Sequence, residues 1–173
     1  MINTELNEKL EFLILFFSLP DKSFYESVYQ GHTPLGKIET EMDCDSFCSE
    51  MMTEASDLFV NSKNNKVIHP LATLHTEDRL MRKMLPLKLS DVYMEFDKMV
   101  SGYPSDHLKV IFEFLLYCLE NDKHDYAVKF HHEFLLNWTN IFADAILNRK
   151  PGNMFIQIAG LINSINTEFE TVK

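Results

Sequence analysis

An all-α bundle is the fold class this sequence predicts, and three observations predict it. Apolar residues recur at helical spacing, most plainly at Leu108, Ile111, Phe112, Leu115, Leu116 and Leu119, where offsets of 3, 4, 7, 8 and 11 mark one helix face. Glycine is scarce, 5 residues in 173, and β-branched residues rarely alternate with polar ones, which disfavours a sheet. Hydrophobic residues make up 46% of the chain, with 14 Phe and 9 Met, a composition suited to a compact aromatic core rather than to disorder. The expectation is a single helical bundle of about seven or eight helices. Two halves, residues 1–101 and 102–173, share one core and meet at a hinge at 101–104.

The first helix places Leu6, Leu10, Leu13, Ile14 and Phe17 on one face and ends near Ser18-Leu19-Pro20. Phe12, Leu15 and Phe16 widen that face, so burial on most sides is expected. Asp21 or Ser23 restarts the chain. Ser23 with Glu26 has the spacing of a capping box, and Phe24, Tyr25 and Val28 give a short second helix its apolar side. Residues 31–36 read as a loop. A third helix is expected from Ile38 to about Val60, its first turns carrying Glu39, Glu41, Asp43 and Asp45, acids that a helix N-terminus favours.

Asn61 to Lys66 is a polar loop, and Val67 to about Leu85 reads as irregular, with a short helix around Glu77 to Met84. Pro86 precedes a helix from about Ser90 to Val100, which Ser101-Gly102 closes and Pro104 prevents from continuing. Ser105 or Asp106 caps the next helix, which runs to about Glu120. After the turn Asn121-Asp122-Lys123, Tyr126, Phe130, Phe134, Trp138 and Phe142 fall at every fourth residue of one long helix. This ladder is either core or the wall of a groove for an apolar helical peptide. A last helix begins after Pro151-Gly152, with Phe155, Ile156, Ile158, Ala159, Ile162, Ile165 and Phe169 inward.

Several function classes are disfavoured. A formal net charge of -10, from 26 acidic against 16 basic residues, opposes binding to nucleic acid or anionic membranes and favours a basic peptide. Cys44, Cys48 and Cys118 do not form a disulfide framework, so a reducing cytoplasm is the simpler compartment. Cys44 and Cys48 lack zinc-site spacing, and adjacent His131 and His132 point about 100° apart on a helix. Neither a metal site nor a cofactor site is expected. No nucleophile elbow, phosphate loop or dinucleotide fingerprint occurs, so the chain does not read as an enzyme. The N-terminus lacks a secretion signal, and the apolar run Phe12 to Phe17 is too short to span a bilayer. A cytoplasmic location follows as the expectation.

The break between the halves, Tyr103-Pro104-Ser105-Asp106-His107-Leu108, sets an acid and an imidazole at the start of an apolar helix. One reading is a plain helix cap. The other comes from the combination of this hexapeptide with Phe130-His131-His132-Glu133-Phe134-Leu135-Leu136-Asn137-Trp138. Together they resemble the TorD/DmsD/NarJ family of redox-enzyme maturation chaperones, whose pattern here is Phe-x-x-Glu-His-Leu-x-x-Trp. Phe134 stands where that family usually has His. Asp57-Leu58-Phe59-Val60 and His69-Pro70-Leu71-Ala72-Thr73-Leu74-His75 are similar to further family segments, and the resemblance covers roughly Asp57 to Phe169.

The resemblance implies an all-α cytoplasmic chaperone without catalytic activity. Its partner would be the precursor of a molybdenum-cofactor reductase, held by its twin-arginine leader or N-terminal segment until the cofactor is inserted. Tyr103, Pro104, Asp106 and His107 would line the peptide site, with Glu133 and Trp138 facing it from the next helix. The family includes monomers and dimers that exchange halves, and Ser101 to Pro104 would be the hinge of such an exchange. The alternative is a helical interaction module with an unrelated protein partner.

Overall fold

A computed structural model of the chain describes residues 4–61, 66–98, 102–136 and 138–171. Among them are nine helices: α1 (Thr4–Phe16), α2 (Lys22–Tyr29), α3 (Cys44–Phe59), α4 (Ala72–His75), α5 (Arg79–Glu95), α6 (Leu108–Glu120), α7 (His124–Phe134), α8 (Thr139–Leu147) and α9 (Asn153–Thr171). The described residues form no strand, only an isolated antiparallel bridge between Leu71 and His107. The architecture is all-α, as the helical spacing predicts.

Helix α1 lies along α6, α2 against α3, α4 against α5, and α8 against α9. Leu6, Leu10 and Leu13 meet the inner face of α6, where Leu108, Ile111, Phe112 and Leu115 are buried. Aromatic rings extend this core. Phe17 stands 6.4 Å from Phe112 and 5.8 Å from Phe142, and Phe16 stands 6.2 Å from Phe155, ring centre to ring centre. The tetrad Phe130, Phe134, Trp138 and Phe142 is buried and Tyr126 half-buried, so the aromatic ladder belongs to the core. Leu15 and Ile156, expected inward, are 58% and 47% exposed.

Several boundaries differ from expectation, each for a local reason. Helix α3 begins at Cys44, because Asp43 caps it by accepting from the Ser46 amide at 2.9 Å. The preceding residues form no helix, Ile38 is buried as a loop anchor, and the Tyr29 hydroxyl donates to the Met42 carbonyl. Of the two candidates before α2, Asp21 is the cap, accepting from the amides of Ser23 and Phe24. Helix α5 runs through Pro86 instead of starting after it. Asp78 caps its start, and a left-handed Asp97 closes it. The Lys98 amide then bonds the Tyr93 carbonyl and the Asp97 amide bonds that of Met94, the paired bonds of a Schellman end. Gly102 is left-handed at φ 83, as expected of that glycine, but it sits in a turn six residues beyond Phe96 and does not cap the helix.

The single long helix expected after Asn121 is two. The amides of Leu135 and Leu136 both donate to the His131 carbonyl, and the Trp138 amide donates to Leu135. The Trp138 indole N–H takes up the Phe134 carbonyl that the break exposes. Residues 62–65 of the polar loop, residues 99–101 with the first part of the hinge, and Asn137 lie outside the described residues. No helix among the described residues is long and apolar enough to cross a membrane.

Candidate functional site

The Leu71–His107 bridge joins two of the segments singled out in the sequence. The Ala72 amide donates to the Asp106 carbonyl at 3.0 Å, and the Leu108 amide to the Pro70 carbonyl at 2.9 Å. Asp106 is 4% exposed. Its carboxylate accepts from the Thr73 amide at 3.1 Å and the Thr73 hydroxyl at 2.6 Å. Asp106 therefore serves the start of α4 rather than that of α6. His107 caps α6 instead, its Nδ1 accepting from the Lys109 amide at 3.2 Å. An imidazole accepting at Nδ1 carries its proton on Nε2 when neutral. Burial holds its pKa down to about 4, with Asp106 opposing part of that shift.

The hexapeptide is also tied to α5. The Tyr93 hydroxyl donates to the Ser105 carbonyl at 3.0 Å, and the Ser105 hydroxyl donates to the Pro86 carbonyl at 2.8 Å. The ring of Tyr103 rests 4.7 Å from that of His107, with the Lys109 ammonium 5.2 Å from the tyrosine ring centre. Bonds to two other elements thus fix the position of Tyr103 to His107.

Beside this turn opens a groove of about 500 Å³. Tyr103, Pro104 and His107 form one end of it, next to His69, Pro70 and Leu71. Most of the rest of the lining comes from N-terminal elements: Phe16 at the end of α1 with Phe17, Leu19 and Pro20 after it, and Met52, Ala55, Ser56 and Phe59 on α3 with Val60 just beyond it. Leu19, Val60 and Met52 are 68%, 53% and 42% exposed, so the apolar lining is open to a ligand. Among the described residues no carboxylate lines it. A groove of this kind takes apolar side chains by area burial.

Of the six residues picked from the sequence, the structure brings Tyr103, Pro104 and His107 into the groove and places Asp106 behind them. Glu133 is exposed on α7 and Trp138 is 3% exposed, and neither lines the groove. Trp138 instead faces His75 at 6.3 Å and Phe142 at 6.4 Å. The His75 ring bonds the His69 carbonyl at 2.8 Å, which links this aromatic cluster to the groove's edge. Burial lowers the pKa of His75 as well. The wall formed by α1 and α3 was absent from the sequence-based site. Its one signal was the Asp57-Leu58-Phe59-Val60 segment, two of whose residues line the groove.

The thiols have no place in this site. Burial pushes Cys48 and Cys118 up to about 11, so both stay protonated. Among the described residues no group of three or more His, Cys, Asp or Glu is arranged to hold a metal ion.

No curated protein and no solved structure matches the chain at a significant level. The profile of the nitrate reductase delta subunit family matches residues 45–144, more than half of the 173. That span contains the Asp57–Val60 and His69–His75 segments, the bridge at Leu71 and His107, and Trp138. This chain therefore belongs to the nitrate reductase delta subunit family, a family of chaperones for the maturation of molybdenum-containing redox enzymes.

Proposed function

We propose that this chain acts in the cytoplasm, without catalysis of its own, by holding the N-terminal segment of a molybdenum-cofactor oxidoreductase in the groove. The client, a precursor carrying a twin-arginine leader or the related segment of a cytoplasmic subunit, is kept from export and assembly until its cofactor is in place. One observation carries this reading. Three of the four segments that resemble the maturation chaperones, 57–60, 69–75 and 103–108, are distant in sequence, yet each contributes residues to the lining of one open apolar groove, while the fourth, 130–138, lines no part of it.

Roles divide by position. Tyr103, Pro104 and His107 touch the apolar part of the segment. Asp106 holds their turn against Thr73, and the arginines of the leader lie outside the groove over a protein of net charge -10. Glu133 and Trp138 are assigned no contact with the peptide. The halves 1–101 and 102–173 both contribute to the groove, with the hinge at 101–104 as the place where they would exchange between copies.

The test is calorimetric titration with N-terminal peptides of the source organism's molybdoenzymes, each paired with versions in which Arg-Arg is Lys-Lys or Ala-Ala. One peptide is expected to bind selectively and to weaken when its arginines are removed. Ser56→Trp, which fills the groove from an exposed position on α3, is expected to reduce that affinity at least about tenfold while leaving Tm within a few degrees. Undiminished binding by that variant would place the peptide elsewhere. Equal binding of arginine-free peptides would remove the leader from the proposal.

A further inference from the structure

Helix α5 carries two apolar faces. Leu85, Leu89 and Tyr93 are buried on one. On the other, Leu80, Leu87 and Met94 are 69%, 62% and 63% exposed and Met84 is 41% exposed. At about 100° per residue the two sets are centred on opposite sides of the helix. Polarity along the helix is ordered too. Arg79, Arg82, Lys83 and Lys88 occupy its first ten residues without an acid, and Asp91 and Glu95 follow. Among the described residues, none of Arg79, Lys83, Lys88, Asp91 and Glu95 forms an ion pair within the chain.

We propose that this face is a two-fold interface with a second copy of the chain, α5 lying antiparallel on its mate with Leu87 at the axis. The stripe is symmetric about that residue: Leu80 and Met94 each stand seven positions away, so Leu80 meets the partner's Met94 and Leu87 meets the partner's Leu87. The cationic half of each helix then covers the anionic half of the other. Lys88 and Asp91 stand on the same side of the stripe, and a two-fold axis perpendicular to the helices brings like sides together. Helical side chains lean toward the N-terminus, which carries Lys88 and the partner's Asp91 toward each other across the axis. The pair occurs twice in the dimer.

Charge order selects this occupant. An anionic lipid surface attracts residues 79–88 but repels Asp91 and Glu95. Reversed self-pairing satisfies both halves. A helix of 17 residues is about 25 Å long, so a single helix pair lies at the small end of protein interfaces. The dimer is accordingly weak, with a dissociation constant on the order of 10–100 µM. None of this depends on what fills the groove.

Sedimentation equilibrium of the full chain from roughly 5 to 500 µM tests it. The average mass should rise with concentration from 20.2 kDa toward twice that value. Lys88→Glu and Asp91→Lys should each weaken association about tenfold or more, since each sets like charges together twice. An equimolar mixture of the two variants should restore it, because only the mixed dimer pairs opposite charges at both sites. Leu87→Glu should leave a monomer with unchanged far-UV circular dichroism. A wild-type chain that stays monomeric throughout, a dimer indifferent to both charge variants, such as one made by exchanged halves, or a mixture without recovery would each overturn the proposal. So would binding to phosphatidylserine vesicles that Leu87→Glu abolishes.

Discussion

Removing the carboxylate of Asp106 tests whether the turn at 103–107 is held from behind. Asp106→Ala deletes the acceptor of two bonds, from the Thr73 amide at 3.1 Å and the Thr73 hydroxyl at 2.6 Å, at a site only 4% exposed. Bonds to a carboxylate contribute about 1.5–3 kcal/mol each, and half-buried Thr73 recovers part of the loss from water. The expected cost is about 3 kcal/mol. For a chain of this length it appears as a fall in Tm of about 6–12 °C. Thr73→Val removes the hydroxyl bond alone and should cost about 1.5 kcal/mol. Because the two side chains share that bond, the double variant should cost less than the sum of the singles by about 1 kcal/mol or more. Urea denaturation of the four proteins measures the cycle. Additivity within about 0.5 kcal/mol, or a cost of Asp106→Ala below about 1 kcal/mol, would refute the idea that Thr73 and Asp106 lock the segments together. Peptide affinity should fall in Asp106→Ala as well, since Tyr103, Pro104 and His107 depend on that lock.

Two further outcomes follow from buried polar groups. His107 binds its proton less readily folded than unfolded, its pKa falling from 6.5 to about 4, so the unfolded chain carries more protons between those values. Stability must therefore rise with pH across that window and drop as pH falls through it, by at most about 3 kcal/mol from this residue. His107→Asn, which keeps a capping acceptor without the titration, should flatten that part of the stability curve relative to wild type; His75 leaves a residual slope in both. The second outcome concerns Asn166, which is 6% exposed and bonds His131, Thr139 and Asn140, joining α7, α8 and α9. Asn166→Ala should cost about 2–4 kcal/mol in thermal or urea unfolding, with peptide binding retained below the new transition.

How far the fold could be read before the structure depended on whether a feature was local. Helices α1, α6 and α9 declare themselves because one apolar stripe repeats through each. Helix α5 does not, since an interior Pro86 ordinarily ends a helix, and the bond that Ser105 donates to the Pro86 carbonyl joins residues 19 apart, beyond what local patterning shows. The acids at 39–45 imitate a long helix start, whereas only Asp43 sits where a cap can act. The fourfold aromatic spacing of 126–142 survives the break at Trp138 because the intervening turn keeps each ring inward, so periodicity alone cannot see the break. The site divides in the same way. Its pivot is a contiguous motif, but the wall contributed by α1 and α3 exists only once α1 packs on α6. Asp106 and His107 were legible as a pair, and their division of labour was not, because Thr73 lies 33 residues away.

The pairing of α1 with α6 also sets the order in which this protein is made. Phe16 ends the first helix and Leu108 begins its main partner, 92 residues later. At a synthesis rate of roughly 5–20 residues per second, a phenylalanine-rich helix waits on the order of 5–20 s for the surface that buries it. Contacts so distant along the chain make for slow folding and a nascent segment prone to aggregation. Conditions that slow its translation should therefore lower its yield before they touch its stability.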